Sequence, residues 1–478
     1  MEYVIHGRKP EALFRYFEEI SAIPRESYHE EKIADYLVDF AKARNLEWYR
    51  DTTNNVFIKV PATKGMEDKA PVLLQGHTDM VCEKNSGVEH DFSKDPLKLY
   101  VDGDFLRARG TTLGADDGSA VAMMLTILDG GLDAHPPIEC LFTASEETGM
   151  DGAKNFDYSL ISARRMINLD IDSLGNVFCG CAGGVRSDLE LQYKGVDFAG
   201  DAVSVKLTGL VGGHSGSDIN KGRANANKLM GRLLASLIAS TDARLVSVNG
   251  GSKENAIPRE CEAIVAVPDA EKAMDILTDT AAQIAGELSD EDRNFNVKVE
   301  TVEAQSFMLT KDETLRAVTV MCCSAIGALS MSQDIAGLVE SSRNLGVICS
   351  DKDKIDFMFS SRSSVESKLD ASVLELDMLA AATGCAATHY GRYPGWSFAK
   401  TSELRSLYLD AYREVTGKEG NICVVHAGLE CGIIYSNIPM DIIAIGPTAT
   451  GIHSPDEVWY LNDVEIFWET LVKLFEKL

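Results

Sequence analysis

Short apolar runs that end in polar loops constrain the fold of this chain more than any other feature of its sequence. The runs are VFIKV at 56, PVLLQG at 71, IECLFTA at 138, RMINLD at 165 and DIIAIG at 441. Runs this short, nearly continuous and bounded by glycine or proline, are typical of strands buried on both faces of a sheet. The pattern therefore predicts a central sheet that is covered on both sides.

Helices suited to that cover precede and separate the strands. The first 43 residues predict two helices, with Pro10 in the first turn of one and Ser27 as the cap of the other. The run GSAVAMMLTIL from Gly118 to Leu128 predicts a further helix between two strands. We therefore expect an α/β fold in which a mixed, mostly parallel sheet is sandwiched by helices.

The middle of the chain has a different pattern. Strands such as AVSVKL and FNVKVE alternate apolar and polar residues, and helices lie between them. From about 200 to 304 the predicted order is β-α-β-β-α-β, and a similar order is expected to recur to about 392. GRYPGW follows as a linker punctuated by glycine and proline. We predict an α/β domain formed by residues 1–186 and 394–478, interrupted by an inserted α+β domain at 187–393.

Charge and cysteine content exclude several functional classes. The chain has 478 residues, with 73 acidic against 46 basic side chains and a formal net charge of −27. This charge repels phosphate backbones and anionic lipids, so we expect neither a nucleic-acid nor a membrane partner. Eleven cysteines are too few for a disulfide scaffold, and an odd number cannot pair completely within one chain. Since no apolar run approaches the roughly 20 residues that span a bilayer, we expect a cytoplasmic protein with reduced thiols.

Acidic and histidine side chains occur just after the predicted strands and just before the predicted helix at 118. In an open α/β sheet the carboxyl ends of the strands form one crevice, which is where ligands bind. Five separate segments of this chain are therefore expected to meet at one rim. Their candidate residues are His77 and Asp79, Asp116 and Asp117, Glu146 and Glu147, Asp170 and Asp172, and His453.

This set of donors suits divalent metal ions. Imidazole and carboxylate groups without thiolates favour a cation such as zinc, cobalt or manganese. Charge balance favours two ions, because two dications are neutralised by Asp116, Glu147 and Asp170 together with a bridging hydroxide. Two metals roughly 3.5–4 Å apart lower the pKa of a bridging water toward neutrality, which gives a nucleophile for hydrolysis. Each motif alone is better explained as a solvated loop, a helix cap or a surface histidine, but their joint position favours the metal site.

Nine motifs occur in order over essentially the whole chain, and together they resemble a known family. They are IPRESYHEEKIADYL, LLQGHTDMV, GTTLGADDGSAVA, FTASEETGMDGA, NLDID, GGHSG, NAIP, HAGLECG and GIHSPDE. The chain resembles the aminoacyl-histidine dipeptidases, the peptidase D or Xaa-His branch of the di-zinc dipeptidase and deacylase family. The resemblance implies that the α/β domain is catalytic, that the inserted domain is a lid, and that a homodimer forms through the lid. It also implies that the substrates are dipeptides with a C-terminal histidine, which no spacing or composition selects.

The resemblance further implies roles for the candidate residues around the metals. Asp116 corresponds to a bridging carboxylate that is followed by a cis peptide bond, and Asp79 to a carboxylate that orients an imidazole ligand. Glu146 corresponds to the general base, which takes a proton and later passes it to the leaving amine. The terminal ligands correspond to His77 and Asp170 for one metal, and to Glu147 and His453 for the other.

Substrate contacts are implied for four more residues. His214 in GGHSG corresponds to a histidine that reaches the active site of the other subunit and stabilises the oxyanion. Arg362 in MFSSRSS corresponds to a residue that binds the substrate's C-terminal carboxylate. Asn255 in NAIP resembles a substrate-binding position, and Glu430 in HAGLECG a loop residue that meets the free amine. Structural roles stay open, since Asn255 can hold a turn before Pro258 and Arg362 can belong to a surface ion pair.

Three other functions stay open beside a di-metal dipeptidase with zinc as its first-choice metal. A related hydrolase, such as a tripeptidase, a cysteinylglycine dipeptidase or an N-acyl amino acid deacylase, uses the same metals with different lid contacts. A non-catalytic peptide-binding dimer is expected to lack a ligand or the base, whereas all seven positions are present here. A regulatory or storage site with a single metal differs in its metal stoichiometry.

Overall fold

The chain folds into two compact units in the computed structural model, which describes residues 3–303 and 305–478. The first unit runs up to Gly180 and resumes with Phe398–Val424 and Leu429–Leu478. The second unit comprises Cys181–Ser397 and Val425–Gly428. Nothing in the sequence pattern indicated that the short segment Val425–Gly428 belongs to the second unit.

An eight-stranded mixed sheet forms the centre of the first unit. Its four middle strands are parallel to one another, and antiparallel strands extend it at one edge. The strands Val72–His77 and Ile138–Thr143 are buried along their whole length, as expected for strands covered on both faces. In spatial order the strands are Glu47–Arg50, Val56–Val60, Ile138–Thr143, Val72–His77, Arg165–Asn168, Asp441–Ala444, Asn176–Cys181 and Asn421–Val425.

Helices and a small sheet complete the first unit around an apolar core. Phe17 stacks on Trp459 with 4.4 Å between ring centroids, and both side chains are fully buried. The helices are Glu11–Ser21, Glu31–Ala43, Ala115–Leu128, Asp151–Asn155, Glu403–Thr416, Glu430–Asn437 and Leu461–Lys477, with a 3₁₀ turn at Tyr158–Leu160. The small sheet contains Ala449–Thr450, Val458–Tyr460, Phe105–Ala108 and Leu99–Asp102.

The two N-terminal helices form as predicted, but their starts differ from the prediction. Pro10 lies directly before the first helix rather than in its first turn. The second helix begins after Glu30, so the prediction that Ser27 caps it is wrong. The Ser27 hydroxyl instead donates to the Asp79 carboxylate at 2.7 Å. The Ser27 hydroxyl, although it lies near a helix start, therefore binds the carboxylate that follows a strand instead of capping the helix.

The second unit is built on a nine-stranded sheet in which every strand pair with a defined register is antiparallel. The order from 202 to 302 is strand, helix, two strands, helix, strand when the two-residue strands are set aside, as predicted. In spatial order the strands are Asn296–Val302, Ala202–Thr208, Cys261–Ala266, Arg244–Gly250, Val339–Ser350, Lys354–Ser363, Gly183–Gln192 and Ala386–Tyr393, with Gly327–Met331 beside Val339–Ser350. The helices are Ala226–Ser240, Ala270–Ala285, Lys311–Cys323 and Glu366–Thr383, with a 3₁₀ turn at Asp290–Asp292. Two-residue strands pair Gly213–His214 with Ala256–Ile257, and Val196–Asp197 with Phe307–Met308.

The α/β architecture with an inserted α+β unit confirms the predicted fold class. Within the described residues, no helix is both long and apolar enough to cross a bilayer.

Candidate metal centre

The parallel strands of the first unit bring three of the predicted ligands to the carboxyl end of the sheet. His77 is the last residue of its strand, and Asp170 follows the strand Arg165–Asn168 by two residues. Glu147 lies in the loop after Ile138–Thr143. Because these strands are neighbours and run in the same direction, their carboxyl ends meet.

One group of donors forms around the His77 imidazole. Its Nε2 lies 3.0 Å from Asp116 Oδ1 and 3.8 Å from Asp170 Oδ1. The three residues each offer one ligand atom, and these atoms lie within 4.8 Å of one another. Burial raises the pKa of Asp170 well above its ordinary value, and the nearby charge of Asp117 adds to the effect. Crowded carboxylates of this kind are stabilised by a bound cation.

A second group of donors shares Asp116 with the first. His453 Nε2 lies 3.1 Å from Asp116 Oδ2 and 3.1 Å from Glu147 Oε1. These three residues also offer ligand atoms within 4.8 Å of one another. Asp116 therefore presents one oxygen to each histidine, and the peptide bond that follows it is cis, as expected. The structure brings all five predicted ligands together.

Asp79 fixes the orientation of the His77 ring. Its Oδ1 lies 3.3 Å from His77 Nδ1, which leaves Nε2 directed at the other carboxylates. The backbone N–H groups of Glu146 and Glu147 also donate to the Asp79 carboxylate, at 3.1 and 3.2 Å. Burial opposes ionisation of Asp79, but the hydrogen bonds from His77 and Ser27 outweigh it and lower its pKa. The ionised Asp79 carboxylate thus joins His77 to the loop that carries Glu147.

Glu146 lies against the first group of donors. His77, Glu146 and Glu147 offer atoms within 4.8 Å of one another. Burial raises the pKa of Glu146 to about 8, opposed by His77 and reinforced by the charges of Glu430 and Glu147. A carboxyl group with a pKa near neutrality can both accept and release a proton, which is the property that a general base requires.

Two buried charged residues that support the site were missed by the sequence analysis. The Glu457 carboxylate accepts hydrogen bonds from the backbone N–H groups of Leu113, Gly114 and Ala115 at 2.7–2.9 Å, just before Asp116. Glu457 lies in the motif GIHSPDE, and the second residue, Arg25, lies in IPRESYHEEKIADYL. Nothing in the sequence shows what either side chain contacts.

The second of these residues is Arg25, whose side chain is fully enclosed by protein. It donates to the carbonyl oxygens of Thr78 and Asp79 at 3.1 and 3.0 Å, and to that of Gly114 at 2.6 Å. The loop that carries Asp79 and the residue before the helix that carries Asp116 are therefore joined through one guanidinium group.

His214 lies in the second unit and is only partly shielded from solvent. Its Nδ1 accepts hydrogen bonds from the backbone N–H groups of Gly216 and Ser217, both at 3.2 Å. Burial lowers its pKa, and the charge of Arg362 lowers it further. Because Nδ1 accepts these hydrogen bonds, the ring proton lies on Nε2, which makes that atom a hydrogen-bond donor.

The other predicted substrate-contact residues occupy different settings. Asn255 is exposed, and its carbonyl accepts a hydrogen bond from Ser215 N at 2.9 Å, one residue from His214. Arg362 donates to the Tyr393 hydroxyl at 2.8 Å, so it is bonded inside the second unit rather than in a surface ion pair. Glu430 lies in the first unit with no exposed surface.

Comparison with known proteins gives consistent matches over most of the chain. Residues 73–477 match the model of peptidase family M20/M25/M40. The cytosol non-specific dipeptidase of Escherichia coli strain K12 is 38% identical over 474 residues, which are 98% of each chain. The crystal structure of the aminoacylhistidine dipeptidase from Vibrio alginolyticus is 37% identical, with a TM-score of 0.94 over 99% of this chain and 97% of that one. The aminopeptidase PepT from Bacillus cereus ATCC 10987 is 16% identical with a TM-score of 0.57 over 98% and 99% of the two chains, a likeness of fold alone.

Proposed function

Because the chain belongs to the M20/M25/M40 peptidase family, we propose that it is a di-metal dipeptidase acting on Xaa-His dipeptides. The observation that carries this proposal is the pair of donor groups that share Asp116. Dipeptide hydrolysis is also the activity named for the two most similar relatives described above.

The donor sets fit two divalent cations. His77, Asp116 and Asp170 form one set, and Asp116, Glu147 and His453 form the other. Nitrogen and carboxylate oxygen donors without thiolates suit zinc, which we propose as the metal, and also accept cobalt or manganese. When bound, two such ions polarise a substrate carbonyl and lower the pKa of bound water.

The residues of the chain supply the proton transfer and the alignment. Glu146 takes a proton from the attacking water and passes it to the leaving amine, because its carboxyl group lies beside the ligands without being needed as one. Asp79 keeps His77 in the orientation that directs Nε2 at the metal. His214 reaches the active site of the other subunit, where it donates its Nε2–H to the substrate's carbonyl oxygen as negative charge develops there. Arg362 and Asn255 are proposed as substrate-binding residues, with Arg362 on the C-terminal carboxylate.

A cytoplasmic location and a homodimer through the inserted lid domain complete the proposal. The Escherichia coli relative is named a cytosol dipeptidase, which supports the location. Leu374 and Met378, on the helix Glu366–Thr383 of the second unit, are 61% and 65% exposed. The two residues are four positions apart and share one face of the helix, so they form a single exposed apolar patch, which supports an interface there.

Breadth of substrate is the point on which the named relatives differ, since one is called non-specific and the other an aminoacylhistidine dipeptidase. A library of dipeptides varied at the second residue, assayed with zinc, cobalt and manganese, measures this directly. We expect kcat/KM to be about tenfold or more higher for Xaa-His than for Xaa-Ala or Xaa-Leu. Equal rates across the library favour the broad dipeptidase, whereas release of amine only from tripeptides or acylated amino acids contradicts dipeptidase activity.

Replacing His214 by alanine is expected to lower kcat by about 100-fold while KM changes by no more than about threefold. The reason is that the Nε2–H bond forms mainly in the transition state, where the carbonyl oxygen becomes negative. Steady-state kinetics on the preferred dipeptide measures both constants. His389→Ala is the matched control, because His389 belongs to the same unit but is bonded to Asp377 and Ser187. A change in KM alone makes His214 a ground-state binding residue.

A further inference from the structure

Glu430 is a buried carboxylate for which the proposed mechanism has no use. It is the first residue of the helix Glu430–Asn437, and its side chain has no exposed surface. Its Oε2 accepts two short hydrogen bonds, from Gln75 Nε2 and from Thr143 Oγ1, both at 2.6 Å. Its Oε1 is also buried and has no hydrogen-bond partner among the described atoms. A carboxylate enclosed in this way is held by the protein rather than offered to a substrate.

The two donors to Glu430 lie on neighbouring parallel strands, close to the ends that carry the ligands. Gln75 precedes His77 by two residues, and Thr143 is the residue that pairs with His77 in the strand register. Both side chains are fully buried. Because both side chains are shut off from water, their hydrogen-bond donors need an acceptor within the protein. Glu430 provides it.

The hydrogen bonds around Glu430 continue to a third neighbouring strand, Arg165–Asn168. The side-chain amide of Asn168 donates to Gln75 Oε1 at 2.7 Å, and Asn168 Oδ1 accepts a hydrogen bond from the backbone N–H of Asp170 at 3.4 Å. Asn168 pairs with Gln75 across the two parallel strands and is itself fully buried. A continuous set of hydrogen bonds therefore runs from Glu430 through Gln75 and Asn168 to the backbone of Asp170.

Glu430 lies close to the site, because both of its donors belong to strand ends that carry the ligands. Its charge helps to raise the pKa of Glu146, so the two carboxyl groups are close enough to interact. Burial raises the pKa of Glu430 itself to about 7, while the hydrogen bonds from Thr143 and Gln75 and the charge of His77 oppose this effect.

We propose that Glu430 is a positioning residue of the metal centre, which fixes the strand ends that carry His77, Glu147 and Asp170 through its bonds to Thr143 and Gln75. The inference rests on the proposed function, since it takes these residues as metal ligands. It differs from the contact with a substrate amine expected from the sequence, because the carboxylate acts here through protein side chains. The role depends on hydrogen-bond acceptance, which an amide oxygen can also supply, and does not depend on the negative charge.

The test compares Zn²⁺ affinity, measured by calorimetric titration of metal-free protein, among matched variants of the full chain. Glu430→Ala is expected to weaken Zn²⁺ binding by about 10–100-fold, and Glu430→Gln to stay within about threefold of the wild type. Thr143→Val, which removes one donor and keeps the side-chain shape, is expected to weaken binding by about tenfold. It serves as the second variant if Glu430→Ala does not fold.

Glu139→Ala is the control for loss of a buried glutamate. Glu139 lies on the strand Ile138–Thr143, distant from its carboxyl end, and accepts bonds from Ser162 N, Ser162 Oγ and Ala163 N. It is expected to lower the unfolding temperature while leaving Zn²⁺ affinity unchanged.

Three results overturn the positioning role while wild-type protein binds zinc. They are wild-type affinity in both Glu430→Ala and Thr143→Val, an equal loss of affinity in Glu139→Ala, and a loss in Glu430→Gln as large as in Glu430→Ala. If the wild-type protein itself binds no zinc, the proposed function fails. Zinc binding by the wild type therefore distinguishes failure of the proposed function from failure of the positioning role alone.

Discussion

Glu146→Ala is expected to lower kcat by about 10²–10⁴-fold while the metal content of the protein stays the same. The side chain lies within 4.8 Å of donor atoms of His77 and Glu147, but each proposed metal has three other donors without it. Removing it therefore removes the proton acceptor and leaves the ligand sets complete. Kinetics on a dipeptide, together with metal analysis of the same dialysed sample, measures both effects.

The neighbouring residue provides the matched comparison. Glu147→Ala removes a carboxylate of the same type one position further along the loop, but this one lies 3.1 Å from His453. We expect this variant to lose both activity and bound metal. Near-wild-type turnover in Glu146→Ala contradicts its role as the base, and loss of metal from that variant makes Glu146 a ligand.

Asp116→Ala is expected to abolish stoichiometric binding of both metals, which makes it the most damaging change at the site. Each of its carboxylate oxygens lies about 3 Å from a different histidine, at 3.0 Å from His77 and 3.1 Å from His453. Both donor groups therefore lose a member at once. Metal analysis by mass spectrometry after dialysis against buffer gives the number of ions per chain.

A single-group variant separates a shared ligand from general damage to the fold. His453→Ala affects only the group formed with Asp116 and Glu147, so we expect it to keep the metal bound by His77, Asp116 and Asp170. The expected order of metal content is wild type, then His453→Ala, then Asp116→Ala. Equal content in the two variants, or full content in Asp116→Ala, contradicts the bridging role.

The positions of the ligands were predictable from the sequence because strand ends and chemistry coincide there. Buried parallel strands are recognised from short apolar runs, and their carboxyl ends must meet at one edge of the sheet. Histidine and acidic residues after four such strands, and at the start of one helix between them, therefore indicated a shared site before any distance was known. The cis peptide bond after Asp116 was available only from the family resemblance, since no local pattern predicts it.

The supporting contacts were not predictable, because they join residues far apart in the chain. Glu457 binds the backbone of Leu113–Ala115, and Glu430 binds Gln75 and Thr143. A glutamate in a polar motif gives no sign of whether it faces solvent or a buried strand. Ser27 illustrates the same difficulty, because a hydroxyl near a helix start has a local use as a cap, and here a distant carboxylate takes it. Only the folded geometry distinguishes these possibilities.

The bonds between Glu457 and the backbone before Asp116 have a consequence for synthesis on the ribosome. His77, Glu147 and Asp170 are translated well before His453 and Glu457, which lie much later in the chain. A nascent chain that lacks these two residues has carboxylates and one imidazole for the site. It has neither His453 nor the Glu457 carboxylate that binds the backbone before Asp116. The pair of ions can therefore be captured only after the segment with His453 and Glu457 has been synthesised, so loading with metal is coupled to a late step of folding.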